Sequence, residues 1–342
     1  MLEYIINFIV FAVGLFILIK ASDIFVDNVS IFAKSIGISE FIIGLTLVAF
    51  GTSMPELVSS LIASIKGSTQ LVVGNLVGSN IANIGLILGI TGLISVIKIE
   101  DGIIKRDGYL MLFSTALFYI FTVSHQLSQV EAGMLIIMYL VYLIFLFKEK
   151  TLFETDFFED YLNFFIKFQF LNVLHKMNKK NNNNHPKIAF KELFISILSL
   201  IFVVLGANII VDKSIWLAKA IGVTEGFIGL TIVALGTSLP ELSISIVAAK
   251  KGQGDIALGN ILGSNIVNIM FILGVSALIT PIQFTKFTTF FVAPFLLFLS
   301  FLLIVFIARK NKLQKWQSAA LLGFYILFII VSSINQVIQL IK

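Results

Sequence analysis

Two glutamates, Glu56 and Glu241, lie inside strongly apolar segments of the chain and have nearly identical neighbours. The segments read GTSMPEL from residue 51 and GTSLPEL from residue 236. An ionisable side chain within a bilayer is costly, and it is retained mainly where it binds a ligand or has another function. Because the same costly arrangement occurs twice, we predict that the two carboxylates belong to an intramembrane ligand site.

Oxygen-bearing groups accompany each glutamate at helical spacing. Pro55 has no amide hydrogen, so the carbonyl group of Gly51 loses its helical partner at a bend in the chain. The next apolar segment adds Asn75, Ser79 and Asn83 at intervals of four residues. Calcium and sodium prefer such all-oxygen ligands, whereas softer transition metals favour sulfur or imidazole. The candidate groups recur at an offset of 185 residues: Ala49, Thr52, Ser53, Glu56, Asn75, Ser79 and Asn83 against Ala234, Thr237, Ser238, Glu241, Asn260, Ser264 and Asn268.

Other residues of the repeated segments admit different roles. Asn80 and Asn265 lie on a neighbouring helix face, where helix packing and ion binding are equally good interpretations. The glycines of the GNLVGSN and GNILGSN segments are typical of close helix contacts. Asp27 and Asp212 also match at the offset of 185 residues. Because these aspartates lie near span ends, we expect them to be solvated at the interface or to form salt bridges.

An internal duplication provides the elements that must position these residues. Residues 44–83 and 229–268 are identical at 22 of 40 positions without a gap. With an odd number of spans in each half, the second copy has to cross the membrane in the opposite direction. Inverted repeats are typical of secondary transporters, whose substrate sites lie near the bilayer midplane where the two halves meet.

Composition agrees with a membrane location. The chain is 58% hydrophobic, and its mean hydropathy is +1.02, which indicates an integral membrane protein. It contains no cysteine, so disulfides and thiolate metal sites are excluded. We predict an all-α fold with ten transmembrane helices arranged as two inverted five-helix repeats. The expected spans are 4–28, 41–65, 71–97, 108–124, 130–147, 192–212, 226–249, 255–280, 287–308 and 317–341.

The distribution of basic residues predicts the orientation. With the N-terminus outside, 18 lysines and arginines fall in cytoplasmic loops and their flanks, against five on the outer side. The positive-inside rule therefore favours both termini outside. The first apolar segment lacks a basic start and a small-residue cleavage site, so we interpret it as a retained helix. In a membrane protein the net charge of +5 does not imply a nucleic-acid partner.

One polar segment separates the two halves. We predict a first repeat at 1–147 with its motif at 44–83, a cytoplasmic linker at 148–190, and a second repeat at 191–342 with its motif at 229–268. The linker ends in the low-complexity run KMNKKNNNNHPK, which is typical of a flexible tether. Its beginning mixes acids with phenylalanines and is suited to the membrane surface. A less favoured alternative is a small regulatory cation site on Glu154, Asp156, Glu159 and Asp160.

The paired GTS(M/L)PEL and GN(L/I)(V/L)GSNI(A/V)NI segments resemble the two alpha-repeats of the calcium:cation antiporter superfamily, specifically its prokaryotic sodium/calcium exchanger branch. The resemblance spans essentially the whole chain. The resemblance implies a transporter that exchanges sodium for calcium. We expect it in the cell inner membrane, with no cofactor and no obligatory protein partner. The resemblance also implies a ten-helix inverted-repeat fold in the lipid bilayer, in which the first and sixth helices slide over a stationary core.

The resemblance also implies a role for each matching residue. Calcium would be bound by the carboxylates of Glu56 and Glu241 and by the backbone carbonyl groups of Thr52 and Thr237. Several relatives that also carry potassium have aspartate where this chain has Asn268, which argues against potassium transport here. Sodium sites would share the glutamates and add Ser53, Ser238, Ala49, Ala234, Asn83 and Asn268.

Three other functions remain open at this point. A calcium/proton antiporter uses similar buried acids, although a cage rich in hydroxyl and amide groups favours sodium. A channel would need only one symmetric filter and no exclusion between the two ions. An enzyme that uses Glu56 and Glu241 as an acid and base pair is the weakest reading, because no nucleophile, metal triad or cofactor motif accompanies them.

Overall fold

The computed structural model describes residues 2–35, 51–98, 104–148, 157–170, 190–308 and 311–341. The described residues are almost entirely helical, in agreement with the all-α fold predicted from the long apolar segments. The helices of the first half and the linker are α1 Leu2–Ser35, α2 Met54–Ile65, α3 Thr69–Ile94, α4 Tyr109–Val123, α5 Gln129–Lys148 and α6 Phe157–Ile166. Those of the second half are α7 Phe190–Ile221, α8 Glu225–Thr237, α9 Leu239–Lys250, α10 Gly254–Ile279, α11 Thr288–Ala308 and α12 Lys315–Ile341.

Seven of these helices are long and apolar enough to cross a membrane, or eight if the bent pair α8 and α9 counts as one span. The chain is therefore a multi-pass membrane protein, as its composition predicts. Two of the ten expected spans correspond to shorter helices in the described residues. The expected span 41–65 contains the 12-residue α2, and the expected span 108–124 contains the 15-residue α4. Residues 41–50 lie outside the described part of the chain.

The repeated helices α3 and α10 form the centre of the molecule. In their most apolar windows 94% of α3 and 78% of α10 is buried inside the protein, against 28% for α1 and 39% for α7. The helices α1 and α7 lie along each other at the periphery, and their backbones touch where Gly206 meets Gly14 and Leu18. The arrangement is a buried core flanked by a peripheral pair of long helices.

Several helices of the core are interrupted where the repeated motifs lie. Pro55 and Pro240 stand at the starts of α2 and α9, and the axes of α8 and α9 differ by 45°. Wider π-helical turns occur at Asn83–Ile87 in α3 and Val267–Ile272 in α10. Such turns are frequent at functional sites because they redirect side chains and free backbone groups.

Two short antiparallel ladders join loops of the two halves. The strand β1 (Ile97–Lys98) pairs with β4 (Lys312–Leu313), and β2 (Gln126–Leu127) pairs with β3 (Ile282–Gln283). In chain order α4 runs from β1 to β2, and α11 runs from β3 to β4. The helices α4 and α11, which match at the repeat offset, therefore lie side by side and run in opposite directions.

The linker helix α6 is attached to the core by aromatic side chains. Tyr161 and Phe164 are buried, and the Tyr161 hydroxyl donates to the carbonyl oxygen of Met138 in α5 at 2.9 Å. Glu159 and Asp160 point away and are exposed. Of the alternative cation site, Glu154 and Asp156 lie outside the described residues.

Candidate cation site at the meeting point of the repeats

The two glutamates occupy equivalent positions at the starts of bent helices. Glu56 lies in the first turn of α2 and Glu241 in the first turn of α9, each directly after the proline that begins the helix. Each residue is only 1% exposed. The positive end of the helix dipole faces a carboxylate at this position. Within the described part of the chain neither carboxylate forms an ion pair.

One oxygen of each carboxylate is held by serine. Ser79 of α3 donates to Oε1 of Glu56 at 3.3 Å, and Ser264 of α10 donates to Oε1 of Glu241 at 3.3 Å. Ser238 of the second half also donates to Oε1 of Glu56, at 3.1 Å. The second oxygen of each carboxylate, Oε2, is buried without a hydrogen-bond partner. Each glutamate is thus oriented by one oxygen and presents the other.

Four asparagines cross between α3 and α10 in reciprocal pairs. Asn83 donates from Nδ2 to Oδ1 of Asn265 at 2.9 Å, and Asn268 donates to Oδ1 of Asn80 at 2.9 Å. Nδ2 of Asn80 also donates to the backbone carbonyl oxygen of Asn265 at 3.1 Å, and Nδ2 of Asn265 donates to the backbone carbonyl oxygen of Asn80 at 3.4 Å. The Oδ1 atoms of Asn83 and Asn268 remain buried without partners. Asn80 and Asn265 therefore accept hydrogen bonds from the side-chain nitrogens of Asn268 and Asn83, whose oxygen atoms stay unpartnered.

The threonine hydroxyls join the two halves. Thr237 donates to Oδ1 of Asn75 at 3.1 Å, and Thr52 donates to Oδ1 of Asn260 at 3.4 Å. Thr52 also contacts the Ser264 hydroxyl at 3.3 Å. These bonds use the hydroxyl groups, and they fix the backbone on either side of each helix break.

The remaining predicted ligands divide into three cases. The Ser53 hydroxyl is buried without a partner, unlike its repeat equivalent Ser238, which contacts Glu56. Ala234 is buried, and its carbonyl oxygen lies 3.5 Å from the Ser79 hydroxyl. Ala49 lies outside the described residues.

The groups that the structure brings together share one chemical property. Five buried atoms of the site lack hydrogen-bond partners, and all five are oxygens of the predicted ligand residues. Among the described residues no three His, Cys, Asp or Glu side chains cluster as a metal site, and the five atoms comprise two carboxylate oxygens and three neutral oxygens. Hard cations accept such ligands. The unpartnered atoms are Oε2 of Glu56 and Glu241, Oδ1 of Asn83 and Asn268, and Oγ of Ser53.

The ligand set implied by the family resemblance does not include Ser79 and Ser264, although both are among the candidate groups of the repeated segments. Both contact a glutamate directly. Their spacing of four residues from Asn75 and Asn83, and from Asn260 and Asn268, is the signal that identifies them.

Glycines let α3 approach α8 closely enough for these contacts. A Cβ atom on Gly78 would lie 2.8 Å from Cα of Leu230 and 2.8 Å from Cβ of Ala234. A Cβ atom on Gly74 would lie 2.9 Å from Cα of Gly229. The expectation of close helix contacts is confirmed for Gly74 and Gly78, but not for Gly259 of the second GN segment, where an added Cβ atom would meet no atom within 4 Å.

A cavity of about 640 Å³ leads from the surface to the site. It lies between α1 and α9 and reaches Thr52. Polar and charged residues line it on the α1 side, namely Lys20, Asp23 and Asp27. Acidic side chains at the mouth of a cleft raise the local concentration of cations.

Comparison with known proteins identifies the family. Residues 6–148 and 191–334 match the model of the family described as sodium/calcium exchanger protein. The sodium/calcium exchanger MaX1 of Methanosarcina acetivorans is 42% identical over 95% of this chain and 98% of its own length. The inner membrane protein YrbG of Escherichia coli is 34% identical over 79% of this chain and 78% of its own length.

Solved structures show the same relationship. A structure of the sodium-calcium exchanger NCX_Mj, soaked with sodium and strontium, superposes with a TM-score of 0.61 at 30% identity. The match covers 95% of this chain and 98% of that one. The chain belongs to the sodium/calcium exchanger family, and it is a membrane transporter and not an enzyme.

Proposed function

We propose that this protein exchanges sodium for calcium across the membrane by alternating access at the site between α2, α3, α9 and α10. The observation that carries the proposal is a set of five buried, unpartnered oxygen atoms, four of which occupy matching positions of the two repeats, namely Oε2 of Glu56 and Glu241 and Oδ1 of Asn83 and Asn268. Buried polar atoms are normally hydrogen-bonded. Eight other unpartnered atoms lie elsewhere in the described residues, but the five at this site include an oxygen of each buried carboxylate, which points to a cation. The names of MaX1 and NCX_Mj support the identity of the two ions.

The proposed calcium site uses the carboxylates of Glu56 and Glu241. The family resemblance adds the backbone carbonyl groups of Thr52 and Thr237. They lie next to Gly51 and Gly236, whose carbonyl groups lose their helical partners because Pro55 and Pro240 have no amide hydrogen. The sodium sites would share the glutamates and add the remaining oxygens, from Ser53, Ser238, Ala49, Ala234, Asn83 and Asn268.

Shared ligands explain why the two ion fluxes are coupled. One calcium ion neutralises both glutamates, and sodium ions that use the same oxygens cannot bind at the same time. Without either load, two ionised carboxylates remain in a closed, poorly solvated core, which is strongly unfavourable. Only loaded forms therefore change sides.

We further propose ten spans in two inverted five-helix repeats, 1–147 and 191–342, joined by the linker 148–190, with both termini outside the cell inner membrane. The opposite directions of α4 and α11 support the inversion. The gap between the two matched segments, 6–148 and 191–334, supports the position of the linker.

Radiolabelled calcium uptake tests the proposal. Purified protein is reconstituted in sodium-loaded liposomes and diluted into sodium-free buffer, and a parallel sample receives a proton gradient instead. We expect uptake with the sodium gradient. Uptake with the proton gradient alone would replace sodium by protons and leave Ser53 and Ser238 as packing residues. Calcium flux that depends on neither the sodium gradient nor the proton gradient would indicate a channel.

Glu56→Gln and Glu241→Gln test the site itself. Each variant keeps an oxygen that can accept from Ser79 or Ser264 and removes the charge that calcium requires. We expect calcium uptake to fall to the level of protein-free liposomes while the protein remains monodisperse. The matched control is Glu159→Gln, the same change on the exposed face of α6, which should retain uptake. Near-normal exchange in either site variant would contradict the assignment.

A further inference from the structure

The two halves differ in the exposure of equivalent faces of α2 and α9. Leu239 of α9 is 44% exposed, whereas its repeat equivalent in α2, Met54, is 6% exposed. Ser243 is exposed and lines the cavity between α1 and α9. Its equivalent Val58 is 8% exposed. The site is therefore open toward one side, past α9, and covered on the other, past α2.

An ion pair lies on the covered side. Nζ of Lys66, just after α2, is 2.6 Å from Oδ1 of Asp212 in α7. This pair joins the core to the peripheral helix that covers α2, and it confirms the salt bridge expected for Asp212. The repeat equivalents of these two residues are Lys251, just after α9, and Asp27 in α1.

The equivalent residues on the open side are not paired. Asp27 lines the cavity, and both Asp27 and Lys251 are exposed. Within the part of the chain that the structure describes, neither forms an ion pair. The same two residue types thus stand at both ends of the peripheral helix pair, joined where the protein is closed and separated where it is open.

We propose that Lys66 with Asp212 and Lys251 with Asp27 are reciprocal latches, of which one closes as the other opens when the α1 and α7 pair moves over the core. This proposal rests on the alternating access of the proposed function. The aspartate of the open latch faces the cavity and attracts cations, and its carboxylate is neutralised by lysine when that side closes. Each aspartate thereby acts as an ion attractor in one state and as a latch in the other.

The expected effect is modest because the pair is partly solvated. The side chains of Lys66 and Asp212 are 29% and 61% exposed, and ion pairs of this kind shift an equilibrium by about two- to fivefold. Salt should reduce the effect, since screening lengths fall to about 3 Å at 1 M. A small effect on the equilibrium between the two conformations suits a transporter, because each conformation must convert readily into the other.

The absence of cysteine from the sequence allows a direct test. Single cysteines are introduced as Ser243→Cys on the open side and Val58→Cys on the covered side, in separate proteins. Modification rates with a membrane-impermeant thiol reagent are measured from each side in sodium buffer. Asp212→Asn should slow labelling at position 243 and speed labelling at position 58, each about two- to fivefold. Asp27→Asn should do the reverse.

Two further variants separate a latch from other charge effects. Asp23→Asn removes a charge from the same cavity. Among the described residues Asp23 forms its ion pair within its own helix, with Lys20 at 3.6 Å, so labelling should not change. Exchanging the charges, with Lys66→Asp and Asp212→Lys together, should restore the original rates. The proposal is overturned if Asp27→Asn and Asp212→Asn shift labelling in the same direction, or if neither shifts it. Labelling requires no calcium uptake, so this result is independent of the ion that drives transport.

Discussion

The side chains of the site are of two kinds. Some carry an unpartnered oxygen atom, and others form hydrogen bonds that orient those side chains. Asn80 and Asn265 belong to the second kind, because their Oδ1 atoms accept from the amides of Asn268 and Asn83. When a side-chain amide donates a hydrogen bond through its nitrogen, its oxygen points away from the residue that accepts the bond. The direction of the unpartnered Oδ1 atoms in the site is therefore set by two residues that do not need to touch an ion.

Truncation of Asn80 should weaken the site as much as truncation of Asn265. Asn80→Ala leaves the amide of Asn268 without its acceptor, and Asn265→Ala does the same to Asn83. A buried donor left unpaired costs about 1–3 kcal/mol, so we expect both lower thermal stability and a higher calcium concentration for half-maximal uptake.

The comparison between the two variants is the sharper part of this prediction. Because both bonds measure 2.9 Å, the two losses should agree within error. Asn208→Ala is the control, since that exposed amide bonds only within its own helix, to Val204. An effect confined to one of the two site variants would show that the repeats do not contribute equally.

Individual helices position these side chains through their interruptions and their close approach. The α3 helix lies so near α8 that Gly78 has no room for a methyl group. The bend between α8 and α9 then brings Ser238 to Glu56 of the other half. Separation of these helices would break contacts of the site without altering any residue that belongs to it.

Gly78→Ala should therefore destabilise the folded protein. Overpacking of this kind costs about 1–3 kcal/mol, and calcium uptake should fall with it. Gly133→Ala is the matched control, because a Cβ atom at that position in α5 meets no atom within 4 Å and alanine favours helix by about 1 kcal/mol. The fraction of monodisperse protein after heating gives the comparison. Equal resistance to heat in the two variants would contradict the close approach.

The whole molecule is held together by contacts between its halves more than by the segment that joins them. The helix α3 lies against α8 and α12, α4 lies against α11, and α5 lies against α10. The two strand ladders add a connection between halves at each of two loop pairs. The linker helix α6 contacts the first half through α5.

Cutting the linker should consequently leave the transporter assembled. A protease recognition sequence inserted into the asparagine run at 181–184 allows cleavage of the folded, purified protein. We expect the two fragments to elute together in gel filtration and to retain calcium uptake after reconstitution. The uncut sample from the same preparation is the reference. Separation of the fragments in mild detergent would mean that the linker is needed to hold the halves.

Much of this organisation follows from the sequence, and the limits are physical. The membrane class, the equivalence of Glu56 and Glu241, and the grouping of hydroxyl and amide residues follow from apolar length and from the repeat. The direction of each amide does not, because asparagine serves equally well as ligand or as helix contact. The different partners of Ser53 and Ser238 could not be predicted either, since identical sequence contexts carry no information on which side is open.

The crossed asparagine bonds of α3 and α10 have a further meaning. Residue 83 contacts residue 265 while residue 268 contacts residue 80, with equal distances. This reciprocity, in which each contact occurs twice with the partners exchanged, defines an isologous interface and is the normal pattern of twofold symmetric dimers. The site is in that sense a homodimer interface contained within one polypeptide. A substitution that improves only one of the two reciprocal contacts makes them unequal. Substitutions here should be best tolerated in pairs that are 185 residues apart.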